Sequence, residues 1–163
     1  MLLCRRCCGL TLVELVATVA ILGVLASAVL PLVRMTSQRT REIELRRTLR
    51  VVRTALDDYK KAYDKAVTEK KIVPLVNKSG YPDTLQVLVN GQDFGGLYPY
   101  KRKFLRRVPV DPMNPVRPGE EPRWGLRSYA DRPDSDVWGG EDVYDVYSLS
   151  ERIAIDGSRY KDW

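Results

Sequence analysis

Residues 10–33 read LTLVELVATVAILGVLASAVLPLV, an apolar run broken only by Thr11, Glu14, Thr18 and Ser27. As a helix rising 1.5 Å per residue it would extend about 36 Å, enough for a hydrocarbon core of about 30 Å, so the sequence predicts a transmembrane helix. A secretory signal peptide is the rival reading, because Arg5 and Arg6 precede the run. The run is longer than the usual apolar region of about 7–15 residues, and Ala26-Ser27-Ala28 is the nearest cleavage candidate. Two residues do not suit a plain anchor. Glu14 places a carboxylate in the run, at a cost of up to about 2.5–3.5 kcal/mol near a bilayer centre, and so calls for a cationic partner. Pro31 removes a helical hydrogen bond, and with Gly23 it predicts a kink or loosened stretch over 23–31.

The segment Gly9-Leu10-Thr11-Leu12-Val13-Glu14-Leu15, behind a short basic leader and opening an apolar helix, resembles the processing site of type IV pilins and type II secretion pseudopilins. The resemblance implies that a prepilin peptidase cuts after Gly9 and methylates the new amino terminus at Leu10. The family usually has phenylalanine at that first mature position; here it is Leu10. The same resemblance makes residues 1–9 a leader, Glu14 the assembly carboxylate, and Gly23 with Pro31 the positions where the helix loosens. The new α-amino group of one subunit would then meet Glu14 of a neighbour, a charge pair favoured in low dielectric. Cys4, Cys7 and Cys8, all of the chain's cysteines, would leave with the leader.

Beyond the membrane run there is no Gly or Pro from Arg34 to Val67, and Leu45, Leu49, Val52, Leu56, Tyr59, Tyr63 and Ala66 recur at alternating spacings of four and three. That spacing predicts a helix over 34–72 with one apolar stripe. The stripe is expected to receive the chain's own C-terminal part at 45–66, rather than to form a coiled coil. Arginines at 34, 39, 41, 46, 47, 50 and 53 face only Glu42 and Glu44 in this stretch. They are expected on a solvated helix face or in salt bridges between subunits. Placed outside the cytoplasm they run against the positive-inside rule, and the processing motif outweighs that count.

From residue 73 the pattern changes to short apolar segments punctuated by Pro and Gly. Asp83–Val89 and Tyr100–Arg107 read as short helices, Trp124–Tyr129 and Val143–Ser148 as strands, and Asp131–Gly140 as the turn-rich link between them. The fold expected is α+β and pilin-like: a long N-terminal helix, transmembrane then amphipathic, packed on a small antiparallel sheet with short helices. Tyr81-Pro82-Asp83-Thr84 with Leu88, then Phe104 to Pro112, then Tyr144 to Ser148 ahead of Trp163, are similar to the periplasmic part of major type II pseudopilins. That family commonly holds calcium in a C-terminal loop. Here the stretch Ser150–Ser158 offers Glu151 and Asp156, few ligands for a cation that takes about 6–8 oxygens. Without calcium it reads as an ordered loop with a turn at Asp156-Gly157, and with Tyr160 and Trp163 packed over the sheet. Asp131, Asp134, Asp136, Glu141 and Asp142 form an acidic cluster, read as a solvated loop, a cation site or the acidic partner of a neighbour's arginines.

The 163 residues contain no histidine, which removes the commonest general base and metal ligand, and no phosphate-cradling Gly-rich motif. The expectation is therefore a structural subunit, not an enzyme. By the resemblance its partners are further copies of itself, the prepilin peptidase, membrane lipid, an inner-membrane assembly platform and minor pseudopilins. The alternatives are a type IV pilus major pilin or a DNA-uptake pseudopilin. The formal charge of +6 keeps the nucleic-acid reading in play, although a solvated basic face explains it more simply.

Overall fold

The computed structural model describes residues 11–74 and 78–163, without the side chains at 28–32 and 34. The chain divides into two compact units, 1–39 and 40–163. The elements in order are α1 (Leu12–Thr68), α2 (Leu85–Asn90), β1 (Gly125–Arg127), β2 (Asp145–Tyr147) and a 3₁₀ turn at Tyr160–Asp162.

In the first unit, helix α1 starts at a polar cap. The Glu14 amide donates to Thr11 Oγ1 at 3.3 Å, which satisfies one of the amides a helix start leaves open, and the Leu15 amide makes the first helical bond, to the Thr11 carbonyl at 3.1 Å. Gly23 and Pro31 both lie within α1, which runs through them as helix. Its leucines, valines and Ile21 between 12 and 25 are exposed on every side.

In the second unit, the expected stripe is the core. Leu45, Leu49, Val52, Leu56, Tyr59 and Ala66 are buried, Tyr63 is half-buried, and Ala55 and Ala62 widen the buried face. Leu88, Phe94, Val108, Met113, Trp124, Val143, Val146 and Tyr160 close over it. The Tyr59 ring packs edge-on to Phe94 at 5.3 Å, and burial, with the nearby charge of Asp83, pushes its phenol up to about 12. Helix α1 ends because Lys70 turns left-handed, at φ 56°, while the Lys70 and Lys71 amides bond back to Val67 and Ala66 carbonyls at 3.0 and 2.9 Å. A side chain in that conformation costs about 1 kcal/mol. Lys70→Gly is accordingly expected to raise unfolding stability by about 1 kcal/mol, read by denaturant titration.

The sheet is a single antiparallel pair in the register Gly125↔Tyr147, Leu126↔Val146, Arg127↔Asp145. Both strands are shorter than the sequence suggests, because side chains and a neighbouring carbonyl capture the next amides. Ser128 N–H goes to the Asp131 carboxylate at 2.7 Å, Tyr129 N–H to Asp142 at 2.9 Å, and Val143 N–H to the Pro82 carbonyl at 2.8 Å. Gly125 is required by close approach: a Cβ there would lie 2.2 Å from the Tyr147 ring. The short helix expected over 83–89 forms at 85–90, with Gly91 at its end in a positive-φ conformation.

The helix expected over Tyr100–Arg107 does not form. Arg102 instead makes an isolated bridge with Gln92, and the Phe104 and Leu105 amides both donate to the Leu88 carbonyl at 2.9 and 3.0 Å. Those amides close the end of α2, so the segment is held by backbone bonds across the chain and not along it.

Candidate functional site

The processing residues Gly9 and Leu10, together with Cys4, Cys7 and Cys8, lie outside the described residues. The side chain of Pro31 does too. What is described is the helix immediately after them. Glu14 stands in the first turn of α1, on an exposed stretch where it is the only ionisable side chain between 11 and 27. The first-turn position favours a carboxylate through the helix dipole. Thr18 Oγ1 donates to the Leu15 carbonyl at 2.8 Å and Ser27 Oγ to the Val24 carbonyl at 2.7 Å, so both hydroxyls are satisfied within the helix. The surface left over is apolar on all sides apart from Glu14. A helix of that kind is stable only when lipid or other helices cover it.

Among the described residues no helix is long and apolar enough to cross a membrane. The expected span of 10–33 is described with side chains only from 11 to 27 and at 33.

The arginine-rich stretch of α1 is not simply a solvated face. Arg53 Nε meets Asp145 Oδ1 at 2.7 Å, and its Nη2 donates to the Val146 carbonyl at 3.2 Å and the Trp163 backbone oxygen at 2.6 Å. Asp145 also receives Arg127 Nη1 at 3.4 Å, so one carboxylate ties α1 to both strands. Arg46 bonds Asp156 at 3.0 Å and lies over the Trp163 ring at 4.1 Å. Glu42 is buried and accepts from the Ile155 amide at 2.9 Å and the Tyr160 hydroxyl at 2.8 Å. Residues 153–163 are thereby strapped to α1 by Glu42, Arg46 and Arg53. Tyr160 and Trp163 pack edge to face at 5.1 Å against β2 and this helix.

The C-terminal stretch that could only thinly supply calcium forms the expected Asp156-Gly157 turn, closed by Gly157 N–H to the Ala154 carbonyl at 3.0 Å. Its donor set does not fit the cation. Asp156 already accepts from the Ser158 hydroxyl and amide and from Arg46, and among the described residues no three carboxylate, cysteine or histidine side chains converge as a metal site. These same partners, Ser158 foremost, hold the Asp156 carboxyl below its usual range. Its contribution to folding is therefore complete above the ordinary carboxylate pKa and is lost as pH falls through the lowered value. Asp156→Asn is expected to reduce the acid sensitivity of the 153–163 strap, followed by the NMR shifts of Ser158 and Trp163 during titration.

The acidic cluster is spent largely on shaping its own loop. Asp131 accepts from the Ser128 and Gly139 amides at 2.7 and 3.0 Å, which lowers its pKa, and Asp136 pairs with Lys161 at 2.8 Å. Asp142 accepts from Ser79 and Tyr129, and Asp134 meets Arg132 at 3.4 Å. Sequence reasoning missed Glu42 and Asp111. Asp111 is fully buried, accepting from the Met113 amide at 2.8 Å and the Ser148 hydroxyl at 2.6 Å. Its place between Val110 and Pro112 was the only signal.

The prokaryotic N-terminal methylation motif is matched at residues 4–30. No curated protein and no solved structure matches the chain. The motif, the long helix it opens and the small α+β part built on that helix together support a type IV pilin-like prepilin. A motif of this type implies processing by a prepilin peptidase and assembly into a filament.

Proposed function

We propose that the chain is a structural subunit of a periplasmic pseudopilus in type II protein secretion, stored in the inner membrane through residues 10–33 and polymerised after its leader is removed. The observation that carries the reading is the methylation motif at 4–30 running into an exposed helical stretch, 11–27, whose single ionisable group is Glu14. Such a helix has a lipid-covered state and a helix-covered state, and the carboxylate selects the second by pairing with a neighbour's new amino terminus. The subunit performs no chemistry of its own. Gly23 and Pro31 lower the cost of loosening the helix as it leaves the membrane. The resemblance of Tyr81–Thr84 with Leu88, of Phe104–Pro112 and of Tyr144–Ser148 to major pseudopilins is what supports secretion over a surface pilus in this reading.

The test is a strain lacking the chain, rescued with wild type or with Glu14→Ala, in which extracellular proteins and sheared surface filaments are compared by mass spectrometry. Secretion that fails without the wild-type chain, with surface pili unchanged, is the expected result. Lost pili with normal secretion would move the assignment to a pilus subunit.

A further inference from the structure

The second unit carries two exposed features of opposite character that nothing in the single chain covers. The first is the tip of the loop 131–142. Val137 and Trp138 are 77% and 38% exposed there, amid five carboxylates and one arginine. The tip is pinned: Ser135 Oγ bonds both the amide and the carbonyl of Val137, Trp138 Nε1 donates to the Asp142 carbonyl at 2.7 Å, and Arg127 Nε holds the Ser135 carbonyl at 3.0 Å. An apolar knob held rigid before contact loses little entropy on docking.

The second feature is a groove of about 520 Å³ lined by Val89, Val108, Pro109, Val110 and Pro122, with Arg107 on its wall. Val110 is 47% exposed within it. The segment that brings Arg107 to Val110 to this groove is basic: from Phe94 to Val110 there are five lysines and arginines and no acid. None of the ion pairs among the described residues uses Lys101, Lys103, Arg106 or Arg107. Glu44, also on the groove wall, is the single opposing charge there.

We infer that the groove receives the 131–142 loop of a second copy of this chain, with Val137 and Trp138 against Val89, Val108 and Val110, and with Asp134 facing Arg106 and Arg107. An apolar centre flanked by acids on the loop and by Arg107 with its basic neighbours at the groove is the pattern of a specific interface. The two patches are different surfaces of one chain, so the contact is head-to-tail and propagates along an open assembly instead of closing a dimer. The inference rests on the assembly reading above and gives that assembly its contact between the globular parts.

The test uses the full chain carrying Cys4→Ser, Cys7→Ser and Cys8→Ser, assembled in membranes and mildly oxidised. Val137→Cys combined with Val110→Cys is expected to give a ladder of disulfide-linked multimers, whereas Val137→Cys with the exposed control Val73→Cys gives none. Arg107→Glu and Asp134→Arg are each expected to weaken the ladder about tenfold, and the two together to restore it. No ladder from a background chain that does assemble overturns this contact and leaves the assembly reading standing. Failure of the wild-type chain to assemble overturns both. Equal ladders from the control pair, or charge swaps that do not rescue each other, also overturn it.

Discussion

Glu14→Gln and Glu14→Ala are both expected to be processed normally and to lose assembly by about 100-fold or more. On the proposed processing the cut falls after Gly9, on the far side of Leu10, so the peptidase would meet an unchanged site. The helix start keeps its Thr11 cap, because the bond there runs from the residue-14 amide, which either variant retains. On the proposed assembly, what disappears is the charge partner of a neighbour's amino terminus, and breaking such a buried pair costs about 3–5 kcal/mol, where each 1.4 kcal/mol is tenfold. The helix-dipole contribution of Glu14 is worth about 0.3–1 kcal/mol, too little to account for such a loss. Glu14→Gln separates charge from shape. Filament yield from that variant, measured by shearing and sedimentation, should match the alanine variant; normal yield would contradict the charge-pair mechanism.

Asp111→Ala is expected to lower the unfolding free energy of the second unit by about 2–4 kcal/mol. The carboxylate is fully buried and binds the Met113 amide and the Ser148 hydroxyl, joining the 108–114 segment to the residue just after β2. Removing it strands both donors away from water, at about 1–3 kcal/mol each. The damage should spread, since Arg152 Nη2 donates to the Met113 carbonyl at 2.8 Å and steadies the approach to the C-terminal strap. Asp111→Asn keeps an acceptor and should recover part of the loss. Chemical denaturation of the full chain, followed by Trp124 fluorescence, checks both.

Helix α1 was legible because its signal is local: no Gly or Pro from 34 to 67, and a four-three spacing that puts Leu45 through Ala66 on one face. That this face would be covered by the chain's own remainder also followed, since the C-terminal segments had no other core. The strands were legible in place but not in length, because Asp131 and Asp142 take amides that alternation alone assigns to a ladder. Tyr100–Arg107 misled because its basic residues are good helix formers, while the decision rests with the Leu88 carbonyl and Gln92. Glu42, Arg53 and Asp111 were illegible for a related reason. Their partners at 155 and 160, at 145 and 163, and at 148 are remote in sequence, and a carboxylate or guanidinium on a charged helix carries no mark of which distant residue it will meet. Arg46 and Arg53 read as part of a uniform basic face until the strap was placed on them.

If the chain is a prepilin, its mature amino terminus carries the mark of processing. The full chain, expressed in membranes with an active prepilin peptidase, is purified and its intact mass and N-terminal sequence are determined, with Gly9→Ala in parallel. The predicted result is loss of residues 1–9 and one methyl group on the Leu10 amine in the wild type, with Gly9→Ala uncut. A wild-type chain that keeps Met1 to Gly9 while a control prepilin is cut, or that is cut after Ala28 instead, would contradict it.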